Sequence, residues 1–462
     1  MVRNSGTAQG VKSKQLLNGK QAIVIGAGIS GLSTARALAD TFEQVIVLER
    51  DELSDSPISR PGAPQGKHPH GLLASATEGL VELFPGFERD LIDAGAVRVN
   101  VGLDGLLELP NQESFPLRDL GITVYGSSRP LIELLIRRRV ERQGNITVRG
   151  EHRVLELVGK SDGSVVTGVR YTTDSGRIET LSADLVIDAS AHGKLTLSFL
   201  ESTGQAVPDE TTIGVDIRYA SSFISGAGLN LGDFKAVVTF PKVPDSVRFG
   251  YLLPAENGLW QLLLVGRGDD VPPVDVDAFM TYVQQLDTPT IYNAIKDSLF
   301  IGEIQRYGFP ESTWRHFGRL AGFPRGLLPV GDAICHFNPV YGQGMTVAIK
   351  EATLLHRLLR IQATKADPLD TLGETFLASA ETMIEDPWAI SSLTDFIYPQ
   401  TKGERPPDLE EALKFQSALQ RIAVRDPAVH KLLFEVRHLI KPRSVLDAPE
   451  LVSRVEAEMA AA

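Results

Sequence analysis

The chain has 462 residues, 43% hydrophobic and 23% charged, the balance of a globular protein in water with room for two or three sub-structures around large cores. A net charge of −12 argues against nucleic acid or an anionic membrane surface as a partner, and no run approaches the ~20 apolar residues of a membrane span. A single cysteine, Cys335, excludes an internal disulfide and fits a reducing cytoplasm, where the protein is expected; it reads as a small core residue.

Residues 1–20 are polar, lack the apolar stretch of a signal peptide, and are expected to form a disordered tail. The apolar run Ala22–Ile25 then predicts a buried parallel strand, followed by Gly26, Gly28 and Gly31 in GxGxxG spacing. Leu32, Ala35, Leu38 and Ala39 recur at helical spacing, with Ser30 near the helix start. In such a strand–turn–helix Gly26 permits the sharp turn, Gly28 admits a pyrophosphate to the backbone, and Gly31 lets the helix sit close on its strand. The helix N-terminus favours an anion there. A second apolar run, Val45–Leu48, ends in Glu49, placed to accept hydrogen bonds from the ribose hydroxyls of an adenosine. The ligand contains ADP, and these residues leave NAD and FAD both open.

The segment after Glu49 is polar and proline-rich up to Pro69, and helical spacing resumes from Gly71 to Leu83. Val99–Ile122 is poorly patterned. A helix begins at Arg129 with Leu131, Leu134 and Leu135 on its apolar face, and Arg137, Arg138 and Arg139 read as a solvated face. Strands are predicted at Ile146–Val148, Val154–Leu157, Val165–Tyr171 and Ala183–Asp188. From Thr211 to Trp314 alternating and apolar runs predict antiparallel strands.

A second glycine turn follows. Leu327, Leu328 and Val330 read as a buried strand ending at Gly331–Asp332, where an aspartate can bind a chain of hydroxyls. Gly342 and Gly344 then free the backbone at the start of a helix, so that N–H groups including that of Met345 face an electron-rich ring edge. Beyond Asp367 the chain reads as mainly helical, with Leu413, Phe415, Leu419 and Ile422 forming one apolar group and Leu432, Leu433, Val436 and Leu439 another.

Gly26-x-Gly28-x-x-Gly31 with Glu49, together with Gly331–Asp332 and the Pro339–Gly342–Gly344 stretch, resembles the FAD-dependent monooxygenases of the aromatic-hydroxylase fold. Arg60–Pro–Gly62–Ala–Pro64–Gln65–Gly–Lys–His68–Pro–His70, Phe337–Met345, Asp386–Pro–Trp388, Asp395 and Tyr398–Pro399 look like the bacterial epoxidases of polyether biosynthesis. The resemblance covers roughly Gln21 to Pro407. It implies an α/β fold: a Rossmann-like FAD-binding domain (21–98, 125–210 and 320–366), an interleaved antiparallel-sheet substrate domain (99–124 and 211–319) and a helical C-terminal region (367–462).

The resemblance also implies further cofactor contacts from Arg50, Gln65, Arg129, Val154, Asp188 and Pro339. Leu185–Gly193 resembles the family's third flavin motif, but Ala191–His192 interrupts it, so Asp188 is the part that carries over. His68 and His70 are the titratable residues nearest the flavin in the loop that reaches toward it, and His70 is the candidate for a role in turnover. The chemistry implied is oxygen transfer from a flavin C4a-hydroperoxide to an alkene or ring of an apolar natural product. A flavin reductase of the geranylgeranyl-reductase type is the alternative, and a flavin-binding protein without turnover the third.

No second GxGxxG follows a later strand, so NAD(P)H acts as reductant either by transient binding or through a separate flavin reductase. No CxxC, HExxH or GxSxG spacing is present, and no metal site is expected. Trp260, Trp314 and Trp388 stand far apart in the chain, unlike the paired tryptophans of flavin halogenases.

Overall fold

The structure is a computed structural model and describes residues 17–461. Most of the expected N-terminal tail lies outside those residues. The part of it that is described is tied down: the Asn18 side chain donates to the Leu359 carbonyl, and the first strand already starts at Gly19.

β1 (Gly19–Ile25), α1 (Ile29–Ala39) and β2 (Phe42–Leu48) form the expected strand–helix–strand unit. α2 (Ala74–Leu83) and α3 (Phe87–Asp93) follow. β3 (Val97–Asn100) pairs with β5 (Thr123–Gly126), while β4 (Gly105–Glu108) between them leaves for another sheet. After α4 (Arg129–Glu141) and β6 (Ile146–Arg149) comes an antiparallel meander of β7 (Arg153–Gly159), β8 (Val166–Thr172) and β9 (Ile178–Ser182). β10 (Leu185–Asp188) and α5 (Lys194–Ser202) complete this part of the chain.

Next come β11 (Glu210–Ser225), β12 (Ala236–Thr239), β13 (Phe249–Pro254) and β14 (Leu259–Arg267). Two helices that the alternating pattern does not announce, α6 (Val276–Gln284) and α7 (Thr290–Ile295), precede β15 (Phe300–Arg315). They lie over the sheet, and Phe279 and Ile291 join one buried cluster with Leu252, Leu262 and Leu264. Short strands β16 (Leu327–Pro329) and β17 (Cys335–His336) lead into α8 (Gln343–Gln362), α9 (Leu372–Asp395), α10 (Leu409–Arg425), α11 (Pro427–Arg437) and α12 (Pro449–Ala460). The last three pack on one another through Leu419, Ile422, Leu433 and Val455.

Two sheets place the site. The parallel sheet runs β16-β10-β1-β2-β6, and its strands read as unbroken apolar runs because β1, β2 and β10 are covered on both faces. β1 sits where the strand order turns: β2 is on one side of it and β10 on the other. The crevice outside the carboxyl end of such a strand is where ligands bind in open α/β sheets. The antiparallel sheet runs β17-β15-β11-β14-β13-β12-β4. The chain passes from one sheet to the other between β16 and β17, and Asp332 lies in that crossing.

Arg137 departs from the sequence reading. It pairs with Glu141 at 2.8 Å one turn on, and it is buried because the 50–55 segment, whose Ser54 carbonyl accepts from its guanidinium, closes over the third turn of α4.

Candidate functional site

A cleft of about 450 Å³ opens at the carboxyl end of β1 and runs to the start of α8. Its first wall is the early glycine turn. Gly26 has φ +99°, and a Cβ there would stand 2.8 Å from the Ala189 carbonyl oxygen. A Cβ on Gly31 would stand 2.0 Å from the Gly26 carbonyl oxygen, so α1 can approach β1 only because residue 31 has no side chain. Gly31 itself does not line the cleft; its part is packing. Gly28 is different. The nearest atoms to a Cβ there are Arg60 Nη2 at 3.9 Å and Glu133 Oε2 at 4.0 Å, which leaves its cleft face open. Gly28 caps α1 with no side-chain acceptor, so the first N–H groups of the helix have no partner within it.

Glu49 is buried at the end of β2. Its carboxylate accepts from the Ala27 N–H at 2.8 Å, the Asp51 N–H at 3.1 Å and the Arg60 guanidinium at 2.8 Å, and it borders the cleft. Arg60 also pairs with Asp51 at 3.1 Å and Glu133 at 2.8 Å. Surrounded by three carboxylates, the Arg60 guanidinium is pushed further up its already high range. The sequence reading did not single out Arg60 as a site residue. Arg50, with a largely exposed side chain, and Val154 line the Glu49 end of the cleft beside His152.

The second wall comes from the late glycine turn. Gly342 has φ +69° and a Cβ there would meet the Gly71 carbonyl oxygen at 3.1 Å. Pro339, Gly342, Gly344 and Met345 all border the cleft, and α8 likewise starts with no side-chain cap. Asp332 faces the same helix start: its Oδ1 is the nearest atom, at 3.8 Å, to a Cβ on Gly344. His336 Nε2 stands 4.0 Å from its Oδ2 and no hydrogen bond from the described residues engages its side-chain oxygens, so the carboxylate is available to hydroxyl donors. Asp332→Ala should therefore leave the fold intact and weaken FAD about 10- to 100-fold, the loss of hydrogen bonds to a charged group, as read by fluorescence titration of the apoprotein.

Asp188 does not border the cleft. Its carboxylate is fully buried and accepts from the N–H and hydroxyl of both Ser190 and Thr196. All its capacity goes into shaping the turn before α5, whose Ala191 takes φ +67°. The neighbouring Ala189 and Ser190, not Asp188, reach the cleft.

Gln65, His70 and Arg129 stand on the remaining side, with Tyr307, Phe309 and Phe337 at the end beside the late glycine turn. His70 Nδ1 is 2.8 Å from the His68 carbonyl and so carries the hydrogen, which leaves Nε2 to accept from Arg129 Nη1 at 3.4 Å. Burial and the Arg129 charge push this imidazole down to about 3, so it is neutral in the working range. His68 is a core residue: it bonds Ser221 Oγ at 2.6 Å, lies edge-on to Tyr219, and is pushed down to about 4 by burial. Both values lie below the 6.5 of an unfolded chain, so below that pH the unfolded state binds more protons and stability falls toward pH 4. Between pH 7 and pH 5.5 the two histidines together should cost about 2–3 kcal/mol of unfolding free energy. Urea titrations of the wild type and His68→Gln at the two pH values check this: the variant should lose about half of that amount, while His430 and His438, also pushed down to about 4, keep their own contribution.

Asp395, the last residue of α9, organises the late turn from below. It and Arg267 are each 1% exposed in their side chains and pair at 2.7 Å. The same carboxylate accepts from Asn338 Nδ2 at 3.0 Å and from the Tyr341 hydroxyl at 2.9 Å. The Arg267 guanidinium lies 3.9 Å from the Tyr398 ring centroid, and the Tyr251 hydroxyl donates to the Val340 carbonyl at 3.0 Å. The turn that carries Gly342 is thus held by side chains from β13, β14 and α9. Two tryptophans distant in the chain also meet here: the Trp314 and Trp388 ring centroids are 5.6 Å apart, at the base of the turn.

The donor set fits FAD. Two arginines and two uncapped helix starts suit a pyrophosphate and an electron-rich ring edge, while Glu49 and Asp332 suit the sugar hydroxyls. Buried Ser30 Oγ, Arg129 Nε and Glu133 Oε2 have no hydrogen-bond partner among the described residues, and each belongs to a residue that borders the cleft or faces Gly28. No group of acidic, histidine or cysteine side chains among the described residues is arranged to hold a metal ion, and no helix among them is long and apolar enough to cross a membrane.

The squalene epoxidase family model matches residues 260–372. Protein Rv3254 of Mycobacterium tuberculosis is 33% identical over 402 residues, which covers 84% of this chain and 82% of that protein. Squalene epoxidase 4 of Arabidopsis thaliana is 25% identical over 366 residues; the match takes in 76% of this chain but 63% of the plant protein's length. A flavoprotein/dehydrogenase from Cytophaga hutchinsonii shares the fold with a TM-score of 0.67 at 15% identity, over 96% of this chain and 99% of that one.

Proposed function

This chain belongs to the FAD-dependent monooxygenases of the aromatic-hydroxylase fold and to one family with Protein Rv3254, and we propose that it transfers one atom of O2 to an apolar natural-product substrate, as an epoxide at an alkene or a hydroxyl on a ring. The observation that carries this reading is where the squalene epoxidase segment falls. Residues 260–372 run from β14 through β15, whose Tyr307 and Phe309 border the cleft, past Asp332 and Gly342 to the end of α8. The shared segment therefore takes in the ring end of the cleft together with three strands of the sheet beside it, β14, β15 and β17.

FAD, once reduced, supplies an electrophilic oxygen from O2. The chain supplies binding, orientation and a dry enclosure. Arg60 and the α1 start would hold the pyrophosphate, Glu49 the adenosine ribose, and Asp332 the ribityl chain. The unpaired N–H groups at Gly344 and Met345 would stabilise negative charge on the ring edge. Neutral His70 holds Arg129 in place by hydrogen bonding and gives up no proton, since its imidazole stays unprotonated near neutral pH. Reducing equivalents come from NAD(P)H, and the single GxGxxG turn favours a separate flavin reductase as the carrier. The cytoplasm supplies both.

Incubation of the holoprotein with reduced flavin, labelled O2 and candidate polyenes or phenols, followed by mass spectrometry, tests the reading. One labelled oxygen atom in the product is the expected result. Saturation of a double bond without label would overturn it in favour of a reductase.

A further inference from the structure

A second donor-rich place lies on α11. His430, Phe434 and Arg437 recur at spacings of four and three residues and so share one side of the helix, and His438, four residues after Phe434, caps its C-terminus. The Arg437 guanidinium faces two aromatic rings, Phe434 at 5.4 Å and Phe115 at 5.8 Å, and is half-buried. Among the described residues no carboxylate and no carbonyl bonds it. Arg60, Arg137, Arg267 and Arg315 each have a carboxylate partner, and the half-buried Arg129, which has none, bonds His70 beside the cleft. With 58 acidic residues in the chain, a lack of acids is not the reason. Burial lowers this guanidinium to about 10, with no charge acting in the opposite direction.

The histidines beside it repeat the pattern. His430 is 1% exposed; its Nδ1 faces Arg118 Nη1 at 3.4 Å, so Nε2 carries the hydrogen, and that buried Nε2 has no partner. His438 Nδ1 accepts from the Ala74 N–H at 3.3 Å, which puts its hydrogen on Nε2 as well. Both rings are pushed down to about 4 and are neutral near pH 7. Arg118 is accounted for, because it donates to the Ala423 and Val424 carbonyls at the end of α10. The C-terminal turn of α11 explains why a cation is tolerated at 437 but provides no acceptor for it. What remains is one unmatched positive charge with histidines on the same side of the helix, set over the Phe115 and Phe434 rings, which themselves pack in an apolar cluster with Leu120 and Ile122.

The place is close to the ring end of the cleft. Ala74, bonded by His438, opens α2 three residues after Gly71, whose carbonyl oxygen packs against Gly342. We propose that Arg437, assisted by His430 and His438, anchors the carboxylate of an otherwise apolar substrate and so fixes which of its carbons reaches the flavin. A carboxylate matches the site because its single charge balances the single guanidinium and its two oxygens accept from fork and imidazole together. A dianionic phosphate would leave one charge uncompensated against apolar walls. The proposal rests on the monooxygenase reading for its consequence, though the anchoring itself does not need turnover.

The test is equilibrium binding to the oxidised holoprotein, with cis-parinaric acid and its methyl ester as fluorescent probes. The acid should bind at least 10-fold more tightly than the ester to the wild-type chain. Arg437→Gln should abolish that preference with FAD content unchanged, and Arg437→Lys should retain part of it. Equal binding of acid and ester to the wild type, or an undiminished preference in Arg437→Gln, would overturn the proposal. A preserved preference in a protein that saturates a double bond of the acid without incorporating label supports the anchor and sinks the monooxygenase reading instead.

Discussion

Asp395→Ala should lower the unfolding free energy by about 3–5 kcal/mol, the usual cost of breaking a buried ion pair from one side, and should leave a protein that no longer retains FAD. The Arg267 guanidinium would stay buried with its charge uncompensated, and its Nε already lacks a partner. Asn338 and Tyr341 would lose their acceptor at the same time, which frees the turn that presents the α8 N–H groups. The Tyr341 hydroxyl stays protonated because burial pushes it well above its ordinary range, so it remains a donor with nothing to donate to. Stability and cofactor binding can be separated. Replacing both charges, as Asp395→Leu with Arg267→Met, removes the stranded cation and should recover much of the stability. It cannot restore the bonds to Asn338 and Tyr341, so FAD affinity should stay low. Urea unfolding and FAD titration on the single and double variants give the two readouts. Recovery of both together would mean that Asp395 serves the core and not the turn.

Gly28→Val should cost at least 100-fold in FAD affinity, about 3 kcal/mol, while the apoprotein keeps wild-type unfolding behaviour. The reason is the asymmetry between two glycines three residues apart. At Gly28 a Cβ meets nothing closer than 3.9 Å, so the side chain is accommodated by the fold but projects where a pyrophosphate must approach. At Gly31 a Cβ would sit 2.0 Å from a backbone oxygen, so Gly31→Val should destabilise the chain before any ligand is considered. Unfolding curves of the two apoproteins and calorimetric titration with FAD distinguish the effects. A Gly28→Val protein that binds FAD normally would show that the pyrophosphate lies elsewhere.

The sequence by itself determined the parts of the site that depend on local backbone geometry. A glycine turn between an apolar strand and a helix can be recognised within a dozen residues, and the two such turns, with Glu49 and Asp332 at strand ends, do border one cleft although some 300 residues separate them. The antiparallel strands between 210 and 315 were legible from alternation for the same reason, since side-chain direction repeats every two residues. Tertiary structure decided everything that rests on partners. Asp188 ends a buried strand as expected, yet its oxygens are consumed by Ser190 and Thr196, so it shapes a turn and does not reach the cleft. Arg137 is buried because a loop 83 residues earlier closes over it. Trp314 and Trp388 meet because α9 folds back under β15. The roles of Arg60, Asp395 and Arg437 were equally invisible, because a charged side chain carries no mark in the sequence of whether its counter-charge is present. That depends on which distant segments the packed core brings alongside, and burial then sets how strongly the presence or absence of the counter-charge is felt.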